Sequence, residues 1–585
     1  MVTIRLWRIG TARIAVVLAI LAPPMLPADD PQGSDTDPDA VIAPANISTA
    51  EIAKLRDQLA TQQRQLAAQQ KQIDYLLVTL EAQQKALGST LDFSTDDKQI
   101  VVSPAFQKLG ELASTTAALP VASTPTVVPV DGRAAGAQSA RPAPPASKDQ
   151  TAPLSFKIGD TYITPIGFLD AMYVGRSTNV GSGIGTNFAS IPFNNVPQGR
   201  LTDGFLSLQN SRIGARFDTN VHGVKVLAWW ESDFLGNQPT NILVSTNSDV
   251  FRIRLFWVDL KKDTWEFLGG QSWSLLTPGR KGISPLPSDI FFSYDIDTNY
   301  QVGIPWARIP TARAVWHPRP DVAWALAAEN AQQYIGGSGG GGLVTLPAAL
   351  VTVLNNQLDN GTNSFAVPTL NPDIISKVAF DPVVKDHLLH VEIAGLVRTF
   401  RIFNSLNERH FTTVGGGGSL NSNLELISKG RLRLVENFFY GRGVGRWLFG
   451  QGPDLIVNSN GALGLLQGSG VSGGLESRTK KLLLYTYYGA DYFGRGVAID
   501  TNGKPVGYGF RGSPNTNNRT IQEATAGFGY TFWEDPKWGA LQYFGQYSFL
   551  FREPWFVALG QPSRAHTNMF WVDLRYLFPG QTPAR

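Results

Sequence analysis

Every second residue of NMFWVDLRYLF, at 568–578, is apolar or aromatic: Phe570, Val572, Leu574, Tyr576 and Phe578 alternate with Trp571, Asp573, Arg575 and Leu577. A period of two is the mark of a strand, whose successive side chains leave opposite faces of the sheet. The pattern recurs. In FRIRLFWVDL (251–260) it sets Phe251, Ile253, Leu255 and Trp257 against Arg252 and Arg254. Leu541, Tyr543, Gly545, Tyr547, Phe549 and Phe551 face away from Gln542, Gln546, Ser548 and Arg552, and Val224, Val226, Ala228 and Trp230 oppose Lys225, Glu231 and Asp233. A soluble sandwich alternates too, with its apolar face on a core, so the pattern alone leaves open which face meets water.

The connections carry more. Tight polar turns occur as TNVHG (219–223), KKDT (261–264), HPRPD (317–321), DPVVKD (381–386), SKG (428–430), SRTK (477–480) and EDPK (534–537). Long segments such as 175–204, 275–308, 331–372 and 494–518 lie between the hairpins, so short and long connections alternate strictly. Seven short turns with both chain ends on one side imply eight hairpins, or about sixteen antiparallel strands, the even-numbered pattern of an outer-membrane barrel. The expected fold is an all-β transmembrane barrel over 153–578, preceded by an α-helical coiled coil. On that reading the aromatic face of 568–578 looks at lipid and the Asp573/Arg575 face at an aqueous lumen. A closed barrel pairs every backbone group in hydrocarbon because it has no edge. Tyr543, Tyr547, Phe570 and Tyr576 are expected in the interfacial girdles.

The period changes upstream. Arg5, Arg8 and Arg13 precede the apolar run IAVVLAILA (14–22), too short to span a bilayer and followed by prolines, which reads as a signal peptide over 1–28. Residues 29–47 form an acidic, Pro-rich spacer. Ser48 and Glu51 fit a capping box, and Ile52, Leu59, Leu66, Ile73, Leu80 and Leu87 then repeat every seven residues. With Leu55 and Leu76 alternating with Gln62, Gln69 and Gln83 in the second seam position, 48–88 is expected to self-associate as a periplasmic coiled coil. Residues 89–152, with PAPPAS at 142–147, read as a Pro/Ala/Ser/Thr-rich linker.

Composition removes several chemistries. Of 585 residues none is Cys, which excludes a disulfide framework and any thiolate nucleophile or metal site, and a formal net charge of +3 is too small to suggest nucleic-acid binding. DIDTN (295–299) begins like a calcium loop without the glycine and distant glutamate that an EF-hand needs. His222, His317 and His387 sit in or beside short turns, and His390, His410 and His566 show no partner by sequence. No enzymatic activity, cofactor or metal is expected.

Three runs carry a family resemblance. In an exported chain with a heptad segment and a Pro/Ala tether, the barrel opening GFLDAMYVG (167–175) resembles the DcaP-like porins of Gram-negative outer membranes. SLQNSRIGARF (207–217) is similar to that family's second strand, and YGRGVGRW (440–447) to its Gly-rich run into an outer loop. The resemblance implies a homotrimer of sixteen-stranded barrels, uptake of small anionic solutes such as dicarboxylates, and a coiled coil extending into the periplasm. Such barrels usually finish at a terminal aromatic read by the barrel-assembly machinery. Tyr576 and Phe578 would form that signal here, with the short tail PGQTPAR (579–585) beyond it.

Selectivity rests on placement of charge. Arg212 with Arg216, Arg252 with Arg254, and Arg431 with Arg433 share strand faces, and with Arg575 they are the candidate pore-lining, anion-selecting residues. The other reading is that they pair with Glu231, Asp233 and Glu425 and stabilise the wall. The third long loop is expected to fold inward, with Arg280, Lys281, Asp289, Asp295, Asp297 and Arg308 as a constriction of mixed sign. Expected partners are outer-membrane lipid and lipopolysaccharide, small anionic solutes and, for the stalk, peptidoglycan. A rival function is a tether or adhesin anchored by the barrel, with transport incidental.

Overall fold

In the computed structural model, the described residues are 154–236, 250–290, 293–337, 340–368, 371–428 and 430–579. The signal peptide, spacer, coiled coil and linker expected over 1–152, and the tail beyond Pro579, lie outside them.

Sixteen antiparallel strands close into a barrel. They are β1 (Thr161–Arg176), β2 in two pieces (Asp203–Ser207 and Arg212–Val221), β3 (Val224–Asp233), β4 (Arg252–Lys262), β5 (Trp265–Trp273), β6 (Arg308–Arg319), β7 (Val322–Glu329) and β8 (Asp373–Phe380). They continue with β9 (His387–Asn404), β10 (Arg409–Ile427), β11 (Leu432–Arg442), β12 (Gln467–Arg478), β13 (Leu482–Phe493), β14 (Asn518–Asp535), β15 (Gly539–Pro554) and β16 (Ala565–Leu577). Each strand pairs with its neighbours in sequence, and β1 closes the ring on β16 from Phe168↔Leu577 to Arg176↔Met569. The sheet thus has no open edge to satisfy.

All seven short turns join strands at one end. At the first, His222 and Gly223 both take positive φ, 51° and 84°, the two-residue hairpin geometry that follows the twist of the flanking strands. At the other end the strict alternation of short and long connections fails once. Asn404 reaches Arg409 through a four-residue turn, 405–408, between β9 and β10, strands of 18 and 19 residues. That hairpin rises above its neighbours, so extended strand stands where a long loop was expected.

The faces are assigned correctly in β16. Phe570 and Leu574 point outward, 54% and 49% exposed, while Trp571, Asp573 and Arg575 point inward and are buried. At β4 the expectation holds for Phe251, just before the strand, and for Ile253 but is wrong for Leu255 and Trp257, which are buried inside the barrel. Glu231 pairs with Leu255 and Ser232 with Ile253, so Arg254 is an extra, bulged residue. A bulge shifts the alternation by one and sends everything after it to the opposite face.

The interior is crossed by the third long loop, 274–307, which leaves the outer end of β5 and runs along the far inner wall. Its Leu275 N–H donates to Glu329 of β7 at 2.7 Å, Gly279 N–H to Glu392 of β9 at 2.9 Å, and Ile296 N–H to Gln546 of β15 at 2.9 Å. Asn437 of β11 donates to the Gly303 carbonyl at 3.0 Å. An aromatic cluster fixes its return: Tyr300 lies edge-on to Trp306 at 5.4 Å, Trp306 stacks on Phe449 at 4.9 Å, and Phe449 meets Phe188 at 5.9 Å. The first, third and sixth outer connections therefore share one apolar core inside the ring.

Candidate functional site

Three of the predicted arginines, Arg212, Arg252 and Arg254, gather on β2 and β4 of the inner wall. On β4, Arg254 donates from Nε to Glu231 at 2.8 Å and from Nη1 to Asp233 at 2.9 Å. Arg252 grips the same Asp233 through Nε at 3.0 Å and Nη2 at 2.9 Å. Arg212 of β2 reaches Glu231 only at 3.5 Å, and its Nε and Nη2 have no partner among the described residues. Arg308, at the start of β6, lies with its guanidinium 5.6 Å from the ring of Trp273. Arg212, Arg252 and Arg254 thus converge on Glu231 and Asp233 across the adjacent strands β2, β3 and β4.

Exposure divides them. Arg212 and Arg254 are enclosed between wall and loop, while Arg252 and Arg216 are partly open. Arg216 is held bidentately by Asp218, both contacts at 2.7 Å. Arg575 contacts Asp573 at 2.7 Å and Asp170 at 3.4 Å, and it and Arg212 lie over the ring of Phe168 at 4.4 and 4.9 Å. Arg433 points inward to Glu425 at 3.4 Å, whereas Arg431 is exposed in the turn before β11 and does not join the wall. Pairing with Glu231, Asp233 and Glu425, the wall-stabilising reading, is therefore present in the geometry.

The loop candidates separate into two groups. Arg280 forms a two-pronged pair with Glu476 of β12, with exposed Lys281 next to it, and its own backbone N–H donates to the carbonyl of Asp289 at 2.6 Å. Burial holds the Asp289 carboxyl above the usual range. Asp295 and Asp297 lie farther along, fully enclosed. Asp295 accepts from Gln546 at 2.6 Å and caps the N–H of Asp297 at 2.8 Å; Asp297 in turn caps Asn299 at 2.8 Å and accepts from the Thr186 N–H at 3.2 Å. Burial pushes Asp297 up to about 6, and burial with the neighbouring Asp297 pushes Asp295 up to about 7. Glu523 of β14 accepts from the Val302 N–H at 3.1 Å beside them. DIDTN is thus a pair of capped turns seated in a carboxyl-rich recess.

Sequence reasoning passed over a clasp on β8 and β9. Lys377 bridges Glu392 at 2.8 Å and the Thr277 carbonyl at 2.9 Å, while His390 links Asp381 at 2.9 Å and Glu392 at 3.2 Å. Asp381 also receives the Gly282 N–H at 3.0 Å. His390 thus has partners that its sequence context hid. The available signal was parity: Lys377, His390 and Glu392 all fall on the inward face of their strands.

No family model matches the chain, and no curated protein sequence does. Among solved structures it is similar to the outer-membrane channel DcaP of Acinetobacter baumannii, with a TM-score of 0.52 at 15% identity over 72% of this chain and 99% of that one. A second similarity is to the anion-selective porin from Comamonas acidovorans, with a TM-score of 0.41 at 10% identity over 72% of this chain and 100% of that one. Closed ring, inward third loop and lipid-suited outer face together give this chain the fold of an outer-membrane β-barrel channel, the fold of DcaP.

Proposed function

We propose that this protein is a diffusion porin for small hydrophilic solutes that favours anions of dicarboxylate size and works as a homotrimer braced by the 48–88 coiled coil. One observation supports the preference for anions: Arg212, Arg252 and Arg254, on β2 and β4, gather around Glu231 and Asp233 of the strand between them, with Arg252 left partly open. A guanidinium that stays partly open beside a water path lowers the barrier for an anion, and its planar fork suits a carboxylate. Arg254 serves as the post that holds both carboxylates in place, and Arg252, which is partly open, is the group that solutes meet.

Reversal potential across a planar bilayer under a salt gradient tests this. Wild-type channels are expected on the anion side of zero, and Arg212→Gln with Arg252→Gln is expected to move the potential toward zero while Arg254 keeps the wall folded. Equal permeability to both signs in the wild type would end the anion reading. Electrical silence of folded protein would favour the tether.

A further inference from the structure

The outer face carries a depression that the lumen does not explain. Across β4 to β8 one outward row reads Val258, Gly269, Ala312, Ala328 and Ile374, each directly opposite the next. Three consecutive strands there present no side chain larger than a methyl group. The result is a hollow of about 580 Å³ walled by Val258, Leu260, Phe267, Leu326 and Ile374, continuous through Ala312 and Ala328 with a second of about 360 Å³ that reaches Pro310, Asn330 and Pro372. These volumes lie in the range of small-molecule sites.

Among the described residues, packing does not require the hollow. A Cβ built on Gly269 would meet no atom within 4 Å, and its φ lies outside the left-handed region, unlike that of the adjacent Gly270 at +130°. Glycine at 269 therefore leaves room open without serving packing or backbone strain. Below the hollow, past the row Phe267, Ala314 and Leu326, stand Trp265, Trp316 and Trp324, with Trp265 stacked 6.2 Å from Trp316. These three lie beside the short turns, the periplasmic side of such barrels, and tryptophan settles at the membrane–water boundary. The groove accordingly runs upward through hydrocarbon and opens toward the outer leaflet.

We infer that this groove holds an acyl chain of outer-leaflet lipopolysaccharide. A chain hung from a head group above can enter at Pro310, Asn330 and Pro372 and lie on the methyl-sized floor. A second barrel pressed on this face would instead rest on the protruding Phe256, Phe267, Leu326 and Trp324 and leave the floor unfilled. The inference concerns the outer face and stands whether or not the lumen conducts.

The full chain extracted from outer membranes in mild detergent and analysed by native mass spectrometry tests it. The wild type is expected to keep lipopolysaccharide at a fixed ratio per chain. Gly269→Leu and Ala312→Phe, which fill the hollow from two strands, are expected to lose it, whereas Ala524→Phe, outward on β14 away from the groove, is expected to keep it. Heat-modifiable migration in gels verifies folding of each variant, with Gly269→Leu as the milder change should Ala312→Phe fold poorly. Retention of the lipid by both folded groove variants overturns the inference. So does loss of subunit association in their place, which would make this face a contact between copies, and so does a wild type that retains only phospholipid.

Discussion

Arg280 of the inward loop and Glu476 of β12 meet through two parallel contacts, Nη1 to Oε2 at 2.8 Å and Nη2 to Oε1 at 2.6 Å. Both side chains are nearly enclosed, the Arg280 guanidinium lies 4.5 Å from the ring of Tyr294, and Tyr487 donates a further hydrogen bond to Glu476 at 2.7 Å. Removing one member of an enclosed pair strands the other, at a cost of about 3–5 kcal/mol. Glu476→Gln is therefore expected to loosen the loop while the ring stays closed. Hydrogen exchange over 274–307 should accelerate in this variant with the strands still protected, and unchanged loop protection would count against the pair as an anchor.

The carboxyl recess gives the loop a pH dependence of definite sign. Asp297 at about 6 and Asp295 at about 7 hold protons in the seated loop that a released loop, with ordinary aspartates, would give up near pH ~4. The contribution of these groups to seating is thus complete below that ordinary value and is lost as pH rises toward about 7. Arg176, whose charge favours the ionised form of Asp297, limits the loss on that side. Current fluctuations in single channels are expected to grow between pH 5 and 8, with this dependence weakened in Asp295→Asn and weaker still when Asp297→Asn is added. Fluctuations that fall with rising pH would contradict the assignment.

Much of this architecture is written in the alternation and in the turns. Seven polar turns and a period of two suffice for a closed sixteen-stranded ring, because both report on local backbone and on which face is apolar. What they do not report is an inserted residue. The bulge at Arg254 reversed Leu255 and Trp257 without any change in composition, since Leu and Trp are as acceptable inside this crowded ring as outside it. The state of the interior charges was equally hidden. Inward parity predicted Arg212, Arg254, Asp573 and Arg575 on the lumen side, but their enclosure depends on a loop from elsewhere in the chain, which no strand pattern encodes.

The heptad segment makes a separate prediction. Leu59 and Leu66 occupy successive positions of the unbroken seam, and a charge there has no place in a helix interface. Leu59→Asp with Leu66→Asp in the full chain is expected to weaken subunit association in detergent without disturbing the barrel. Sedimentation analysis reads the outcome, and an unaltered assembly would assign association to the barrels alone.

The pair of neighbours Asp573 and Leu574 tests the two faces of one strand. Leu574 is about half exposed on the outer face, level with Tyr543 of β15 and Ala171 of β1. An arginine placed there meets hydrocarbon and is expected to cost about 2–4 kcal/mol near the midplane, enough to impair assembly. An open, watery inner face would make Asp573→Asn nearly neutral. The structure corrects that expectation, because Asp573 is fully enclosed and contacts Arg575 at 2.7 Å, leaving Asp170 at 3.4 Å as the remaining counterion. Asp573→Asn is therefore expected to destabilise the ring as well, by losing half of the charge that compensates Arg575. The two variants should still differ in one respect: Asp573→Asn, but not Leu574→Arg, is expected to recover when Arg575→Met is added, since the second change removes the stranded guanidinium. Urea unfolding in detergent micelles measures each variant. Equal rescue of both would mean that residue 574 and residue 573 share a face, and the outward assignment of Phe570, Val572, Leu574 and Tyr576 would fall with it.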